Sequence, residues 1–324
     1  MSGWTVETGP RLHVGFRNLS LARERLYGAI GIALERPRLR VHAAPHPAGG
    51  ADPLGVCAAL GIEGVATAIS RPLPMHVGLG SGTQTALALA VAAGRTADRA
   101  VDPRTVAPRL GRGGRSGVGV AAFEAGGLIV DAGQPTAAFT PDAPRSGTWT
   151  VPAVTQRATL PATWRFVLVC PRVRRGRSGD AEEVTMRAVI EAADAAPAAA
   201  IDAVLAEELQ PALAAGDLAG FGAALAAIDR LNGRWYTAVQ GGTHRDELGG
   251  LPAALAAAPG CVGVGQSSWG PTLYGVTHRD DAAAVAAAAE AALADEGVEG
   301  TVTVTAPRAV GARCVADVGG AERV

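Results

Sequence analysis

The chain has 324 residues, 48% hydrophobic and 18% charged, with a formal net charge of −1. This argues against a disordered chain and excludes any overall field drawing the protein to nucleic acid or an anionic membrane, and the length suits two domains better than one. Every basic residue is Arg, which excludes Schiff-base catalysis and a Walker-type phosphate loop, since that loop needs a Lys to reach the phosphates. Cys57, Cys170, Cys261 and Cys314 lie far apart without a C-x-x-C pair, which argues against structural zinc and redox chemistry. Residues 1–16 lack the charged start and apolar run of a secretory signal, so a cytoplasmic protein is expected.

In chain order, Leu12 to Phe16, Ala29 to Leu34 and Leu39 to Ala43 read as strands separated by turns. Pro53 to Ser70 has helical spacing, Met75 to Val77 is a brief strand, and Thr83 to Ala93 is a helix stopped by Gly94. A second glycine-rich stretch, Gly111 to Gly119, precedes Phe123 and a strand from Gly127 to Asp131. Residues 132–160, rich in Pro, Thr and Ala, mark the crossing between an N-terminal domain, 1–155, and a C-terminal domain, 156–324. The second half runs strand Trp164 to Cys170, several helices between Asp180 and Ala258, strands Cys261 to Val264 and Thr272 to Thr277, helix Asp281 to Ala294, and strand Thr301 to Thr305. That order is a split β-α-β unit, so the fold class is α+β.

The motif with most chemical content is Gly78-Leu79-Gly80-Ser81-Gly82-Thr83-Gln84, following Pro74. Glycines let a backbone approach a ligand closely, and free N–H groups at a helix start, helped by the helix dipole, favour phosphate or pyrophosphate. A plain turn is the other reading of such a stretch taken alone.

Pro74 with Gly78 to Ser81 resembles the phosphate loop of the GHMP superfamily (galactokinase, homoserine kinase, mevalonate kinase and phosphomevalonate kinase). Within it the chain is similar to the beta-ribofuranosylaminobenzene 5'-phosphate synthase family. That likeness is carried by Arg11 to Phe16 with Tyr27 to Gly31, by Arg115-Ser116-Gly117-Val118-Gly119 through Asp131, and by Gly265 to Pro271. The resemblance implies the two-domain GHMP fold, with an N-terminal ribosomal-protein-S5-domain-2-like half and a ferredoxin-like C-terminal half. It also implies a homodimer without organic cofactor, working in tetrahydromethanopterin biosynthesis. The activity implied joins phosphoribosyl pyrophosphate to 4-hydroxybenzoate or 4-aminobenzoate, releasing pyrophosphate and carbon dioxide. Two departures count against the alternative, an ATP-dependent small-molecule kinase: Arg115 to Gly119 lacks the kinases' Asp, and Gly82 stands where kinases commonly carry Ser. A third alternative keeps the fold only to bind a phosphorylated ligand.

Arg suits two-point pairing with carboxylate or phosphate. Arg11 and Arg115 are therefore catalytic candidates, Arg112 a further anion ligand, and Arg172, Arg174, Arg175 and Arg177 either phosphate ligands or a solvated loop. His13 is either a general acid or hydrogen-bond donor, or a packed strand residue. Ser116, Ser267, Ser268 and Trp269 are substrate-binding candidates, the serines for phosphate and the indole for stacking on the benzoate; the bland reading of 267–271 is a hairpin turn. Asp180, Glu182 and Glu183 either hold magnesium through oxygen ligands or form the acidic first turn of a helix.

Overall fold

The computed structural model describes residues 2–140, 147–173 and 180–317, without the side chains of 180–182. Its strands are β1 (Trp4–Thr8), β2 (Arg11–Asn18), β3 (Arg25–Ala33), β4 (Leu39–Pro45), β5 (Val65–Arg71), β6 (Leu128–Asp131), β7 (Gln134–Pro135), β8 (Val154–Ala158), β9 (Trp164–Pro171), β10 (Cys261–Gln266), β11 (Leu273–His278), β12 (Gly300–Thr305) and β13 (Arg313–Ala316). The helices are α1 (Val56–Leu60), α2 (Ser81–Thr96), α3 (Pro103–Val106), α4 (Val118–Glu124), α5 (Asp180–Ala192), α6 (Ala196–Ala203), α7 (Gln210–Ala215), α8 (Leu218–Gln240), α9 (Leu251–Ala257) and α10 (Ala282–Asp295).

The C-terminal sheet has the order β10-β11-β9-β12 with antiparallel pairs, the arrangement expected of a split β-α-β unit. Its central strand β9 is apolar on both faces because both are covered. Trp164, Phe166 and Leu168 join the core with α8, while Val167 and Val169 pack with Leu255, Val285 and Leu293 of α9 and α10. The N-terminal half holds two sheets, β13-β1-β4-β5 and β2-β3-β6-β8, the second extended by β7 beside β3. Helix α2 packs its Leu87 and Leu89 with Val6 and Val41 of the first sheet.

The sheets cross the boundary expected at 155. Strand β8 spans it and pairs with β6, and β13 returns from the far end of the chain to pair with β1, so both strands belong to the N-terminal sheets. One core joins the halves, with Leu12, Ile30 and Ile129 packed in the same cluster as Phe166, Phe221 and Ile228.

Three local expectations are corrected. Within 53–70 only Val56–Leu60 is helical, because Gly61 (φ 62°) caps it in the left-handed region and Val65–Arg71 extends as β5 along β4. Residues 75–77 form a turn rather than a strand: Pro72 and Pro74 supply no N–H donor, and His76 sits at φ 60°. Gly94 lies inside α2 rather than ending it. A Cβ there would stand 2.3 Å from Val101 Cγ2, so the glycine makes room for that side chain.

Candidate active site

Three of the segments picked out in the sequence are knitted together by hydrogen bonds. Arg11 donates its backbone N–H to Leu79 O (3.1 Å) and its Nη1 to Gly78 O (2.6 Å). Ser267 Oγ donates to Gly78 O at 2.9 Å and accepts His13 N–H at 3.1 Å, while Ser268 N–H donates to His13 O at 2.9 Å. Gly78 is required at this junction: its φ is 92°, and a Cβ would lie 2.1 Å from Ser267 O. Gly80, at φ 74°, is the N-cap of α2, which has no side-chain cap among the described residues. The first-turn amides of α2, which have no partner within the helix, thus take no bond from a capping side chain.

The loop's side chains divide by role. Leu79 is in the core, and Gln84 is a buried strut, accepting from Thr8 Oγ1 at 2.9 Å and donating to Gly119 O at 2.7 Å. Ser81 is also buried. Leu79 and Gln84 are thus framework rather than side-chain ligands, whereas Thr83 lines a cavity of about 990 Å³. The Arg11 side chain lies against Gly80 and that of Arg112 against Gly82, where added Cβ atoms would meet them at 3.1 Å and 2.9 Å.

Among the described residues the cavity is lined by four arginines, Arg11, Arg112, Arg115 and Arg187, against two carboxylates, Glu183 and Asp229. The sequence-expected His13, Ser116, Ser268 and Trp269 also line it, whereas Ser267 stays buried as the bracket between Gly78 and His13. Glu183 is held between Arg115 and Arg187, the latter at 3.0 Å. Asp180 and Glu182 have side chains outside the described residues, as do Arg174, Arg175 and Arg177 entirely. Arg172 is exposed and pairs with Glu299 at 2.5 Å, away from the cavity.

His13 sits at a bulge in β2, between its pairs with Gly31 and Ile30. Burial, then the adjacent Arg11 charge, lowers its pKa to about 3, against a backbone hydrogen bond of its own that acts the other way. The ring is therefore neutral at physiological pH, which among the roles left open by the sequence suits a hydrogen-bonding or packed group better than a general acid. Its Nε2 is buried without a partner among the described residues. Asp131 supports the same wall. It accepts N–H bonds from Ala29, Gly117 and Gly133 at 2.7–3.0 Å, and burial raises its pKa in spite of them.

The opposite wall went unread in the sequence. One face of α8 presents Asp229, Asn232, Tyr236 and Gln240, spaced three or four residues apart, to the cavity. This polar stripe in an Ala-rich helix was the available signal. Asn232 locks α8 to β2 by accepting Phe16 N–H at 2.8 Å and donating to Phe16 O at 3.0 Å, in space left by Gly15, where a Cβ would lie 2.4 Å from Asn232 Nδ2. Tyr236 meets Trp269 edge-on with ring centroids 5.0 Å apart, and the Trp269 indole N–H is buried without a partner among the described residues. Cationic and aromatic side chains thus share the cavity: Trp149 donates to Arg112 O at 2.9 Å and Arg187 lies over the Phe139 ring, apart from the Tyr236–Trp269 pair.

No helix among the described residues is long and apolar enough to cross a membrane. Residues 53–127 match the family model of the GHMP kinases N terminal domain. The chain is 29% identical to the beta-ribofuranosylphenol 5'-phosphate synthase of Methanothermobacter thermautotrophicus, over 82% of this chain and 85% of that protein. Among solved structures, homoserine kinase from Cytophaga hutchinsonii (TM-score 0.62, 15% identity) and mevalonate diphosphate decarboxylase from Staphylococcus aureus (TM-score 0.62, 13% identity) each match over 97% of this chain and 98% of their own. These two share the fold. The chain thus shares the fold of these two structures, matches the GHMP kinases N terminal domain over 53–127, and has beta-ribofuranosylphenol 5'-phosphate synthases among its sequence relatives.

Proposed function

We propose that this enzyme is a decarboxylating phosphoribosyl transferase, joining the ribose 5-phosphate unit of phosphoribosyl pyrophosphate to the ring of a para-substituted benzoate with release of pyrophosphate and carbon dioxide. The observation that carries the reading is the sequence match to beta-ribofuranosylphenol 5'-phosphate synthase along most of both chains. The phenol in that relative's name favours 4-hydroxybenzoate over 4-aminobenzoate as acceptor.

The geometry suits the chemistry. The donor brings several negative charges, and more builds on its pyrophosphate as the anomeric C–O bond breaks. Arg11, Arg112 and the α2 N-terminus are placed to meet that charge, with Thr83 beside them. The Tyr236–Trp269 pair takes the acceptor ring. Its carboxyl-bearing carbon is made nucleophilic by the para hydroxyl, so a protein nucleophile is unnecessary. What the site must supply is alignment of that carbon with the anomeric carbon.

Magnesium is a natural companion of pyrophosphate, but the described carboxylates at the cavity do not suit it. Glu183 is held by two arginines, and Asp229 is engaged by Gln266 N–H at 2.8 Å and His244 at 2.6 Å. No step here is routed through a metal. For the kinase alternative, the first Asp after 115–119 is Asp131, which is fully buried and spent on backbone amides.

Purified protein given phosphoribosyl pyrophosphate and carboxyl-labelled 4-hydroxybenzoate is expected to release labelled carbon dioxide and pyrophosphate in equal amounts, and to make no ADP from ATP. Silence with both benzoates overturns the reading. The homodimer implied by the resemblance belongs to the same proposal, and light scattering at twice the 32.5 kDa chain mass checks it.

A further inference from the structure

Asp229 is a buried carboxylate on the cavity wall that no sequence motif flagged. Its Oδ1 accepts Gln266 N–H at 2.8 Å, and its Oδ2 lies 2.6 Å from Nε2 of His244, a side chain 23% exposed at the protein surface. Carboxylate oxygens have further acceptor capacity beyond one bond each. The group thus joins the cavity to a titratable ring that reaches solvent. Tyr236, seven residues further along α8, lies about 10 Å away along the helix axis at 1.5 Å per residue. A single-ring acid set against Tyr236 and Trp269 therefore spans much of the distance to Asp229.

We propose that Asp229 is the catalytic base for the acceptor hydroxyl, with His244 as its positioning residue; this rests on the transferase reading above. In the first step the ring carbon bearing the carboxylate forms a C–C bond to the anomeric carbon. The anomeric C–O bond breaks with its electron pair leaving on pyrophosphate. The hydroxyl O–H breaks, its proton passing to Asp229 and its pair forming the ring C=O. In the second step the C–CO2 bond breaks and its pair restores the aromatic ring, while the ring oxygen takes the proton back from Asp229. No proton is gained or lost overall, and nothing is oxidised. The hydroxyl becomes strongly acidic only as ring electrons leave towards the sugar, so a carboxylate is a sufficient base at that moment.

The charged and titratable groups around Asp229 are His244, Tyr274 of β11, whose buried hydroxyl is kept protonated by desolvation and then by the Asp229 charge, and across the cavity Arg11, Arg112, Arg115, Arg187, Glu183 and His13.

Asp229→Asn keeps the shape and removes the base. It is expected to lower kcat for 4-hydroxybenzoate about a hundredfold or more, leave the KM for phosphoribosyl pyrophosphate within about twofold, and regain rate with ring-fluorinated 4-hydroxybenzoates, whose hydroxyls are more acidic. His244→Gln, which leaves the carboxylate in place, is expected to shift the acid limb of the kcat pH profile and to show a milder form of the same acceptor dependence. It serves as the working test if Asp229→Asn does not fold. Wild-type-like kcat in Asp229→Asn, or a loss equal across acceptors of different acidity in the variant that folds, overturns the assignment. If the wild-type protein makes no product, the transferase reading fails first and this inference with it; if only the variants behave otherwise than stated, the transferase reading stands.

Discussion

At the loop end of the cavity the groups proposed to meet pyrophosphate are backbone, held in place by what glycines lack: Gly78 and Gly80 adopt left-handed conformations, and the amides of α2 follow them. At the α8 end they are side chains, Asp229, Asn232 and Tyr236, set a turn or two apart on a helix that Asn232 fastens to β2. The difference teaches where tolerance lies. A backbone site fails through added atoms, a side-chain site through removed ones. The largest expected effect is accordingly at Gly78: Gly78→Ala combines a left-handed alanine with a contact 2.1 Å from Ser267 O. It should lower stability by about 3 kcal/mol or more and abolish turnover, measured by thermal unfolding and product formation. Wild-type melting would show that the loop and the 267–271 turn need not touch.

The same contrast decides what was legible in the sequence. Strands β2, β3, β4, β9, β10 and β11 announce themselves through apolar runs bounded by turn residues, and the antiparallel order β10-β11-β9-β12 follows from the split β-α-β order of elements. The glycine loop was legible because backbone sites leave glycines at fixed spacing. Three things were not. The pairing of β13 with β1 joins the two extremes of the chain, and no local pattern reports such a contact. Gln84 looks like a loop ligand until its two buried bonds are seen. Asp229 and Tyr236 are ordinary helix residues whose importance comes from facing a cavity formed by β2 and the 266–269 segment.

Between the two ends stands His13, which tests the electrostatics of the junction. In the folded protein it is neutral down to about pH 3, whereas the unfolded chain takes up a proton near the ordinary value of about 6.5. The unfolded state therefore binds more protons between those values, so this contribution to stability rises with pH and is lost as pH falls through the window. His13→Gln should flatten the acid limb, removing roughly 3 kcal/mol of the stability difference between pH 7 and pH 4, as read by denaturant titrations at each pH. An unchanged acid limb would mean that the ring is protonated and solvated in the fold.

Gly82→Ala sharpens the loop side at smaller cost. Its backbone is ordinary helix, and the added Cβ would meet only the Arg112 Nη1 tip at 2.9 Å. A flexible guanidinium can move, so stability should change by less than about 0.5 kcal/mol. Displacing one charged contact from the donor should raise its KM about tenfold, in line with roughly 1.5 kcal/mol for a hydrogen bond to a charged group. An unaltered donor KM would place the pyrophosphate elsewhere.

The smallest effect belongs to the Tyr236–Trp269 pair, and it separates packing from recognition. Trp269 touches Tyr236 edge-on, yet its indole N–H is buried without a partner among the described residues, an arrangement that does nothing for the folded protein alone. Trp269→Phe keeps a ring beside Tyr236 and removes that donor. If the N–H is there for an acceptor-bound oxygen, unfolding should shift by under about 1 kcal/mol in the free enzyme, because no internal bond is lost and only ring volume changes. The acceptor KM should rise about fivefold, matching a neutral hydrogen bond near 1 kcal/mol. Both numbers come from steady-state kinetics beside a melting curve. A variant that melts early while its acceptor KM holds steady would make Trp269 a packing residue, and the acceptor's position would then rest on Tyr236 and Asp229 alone.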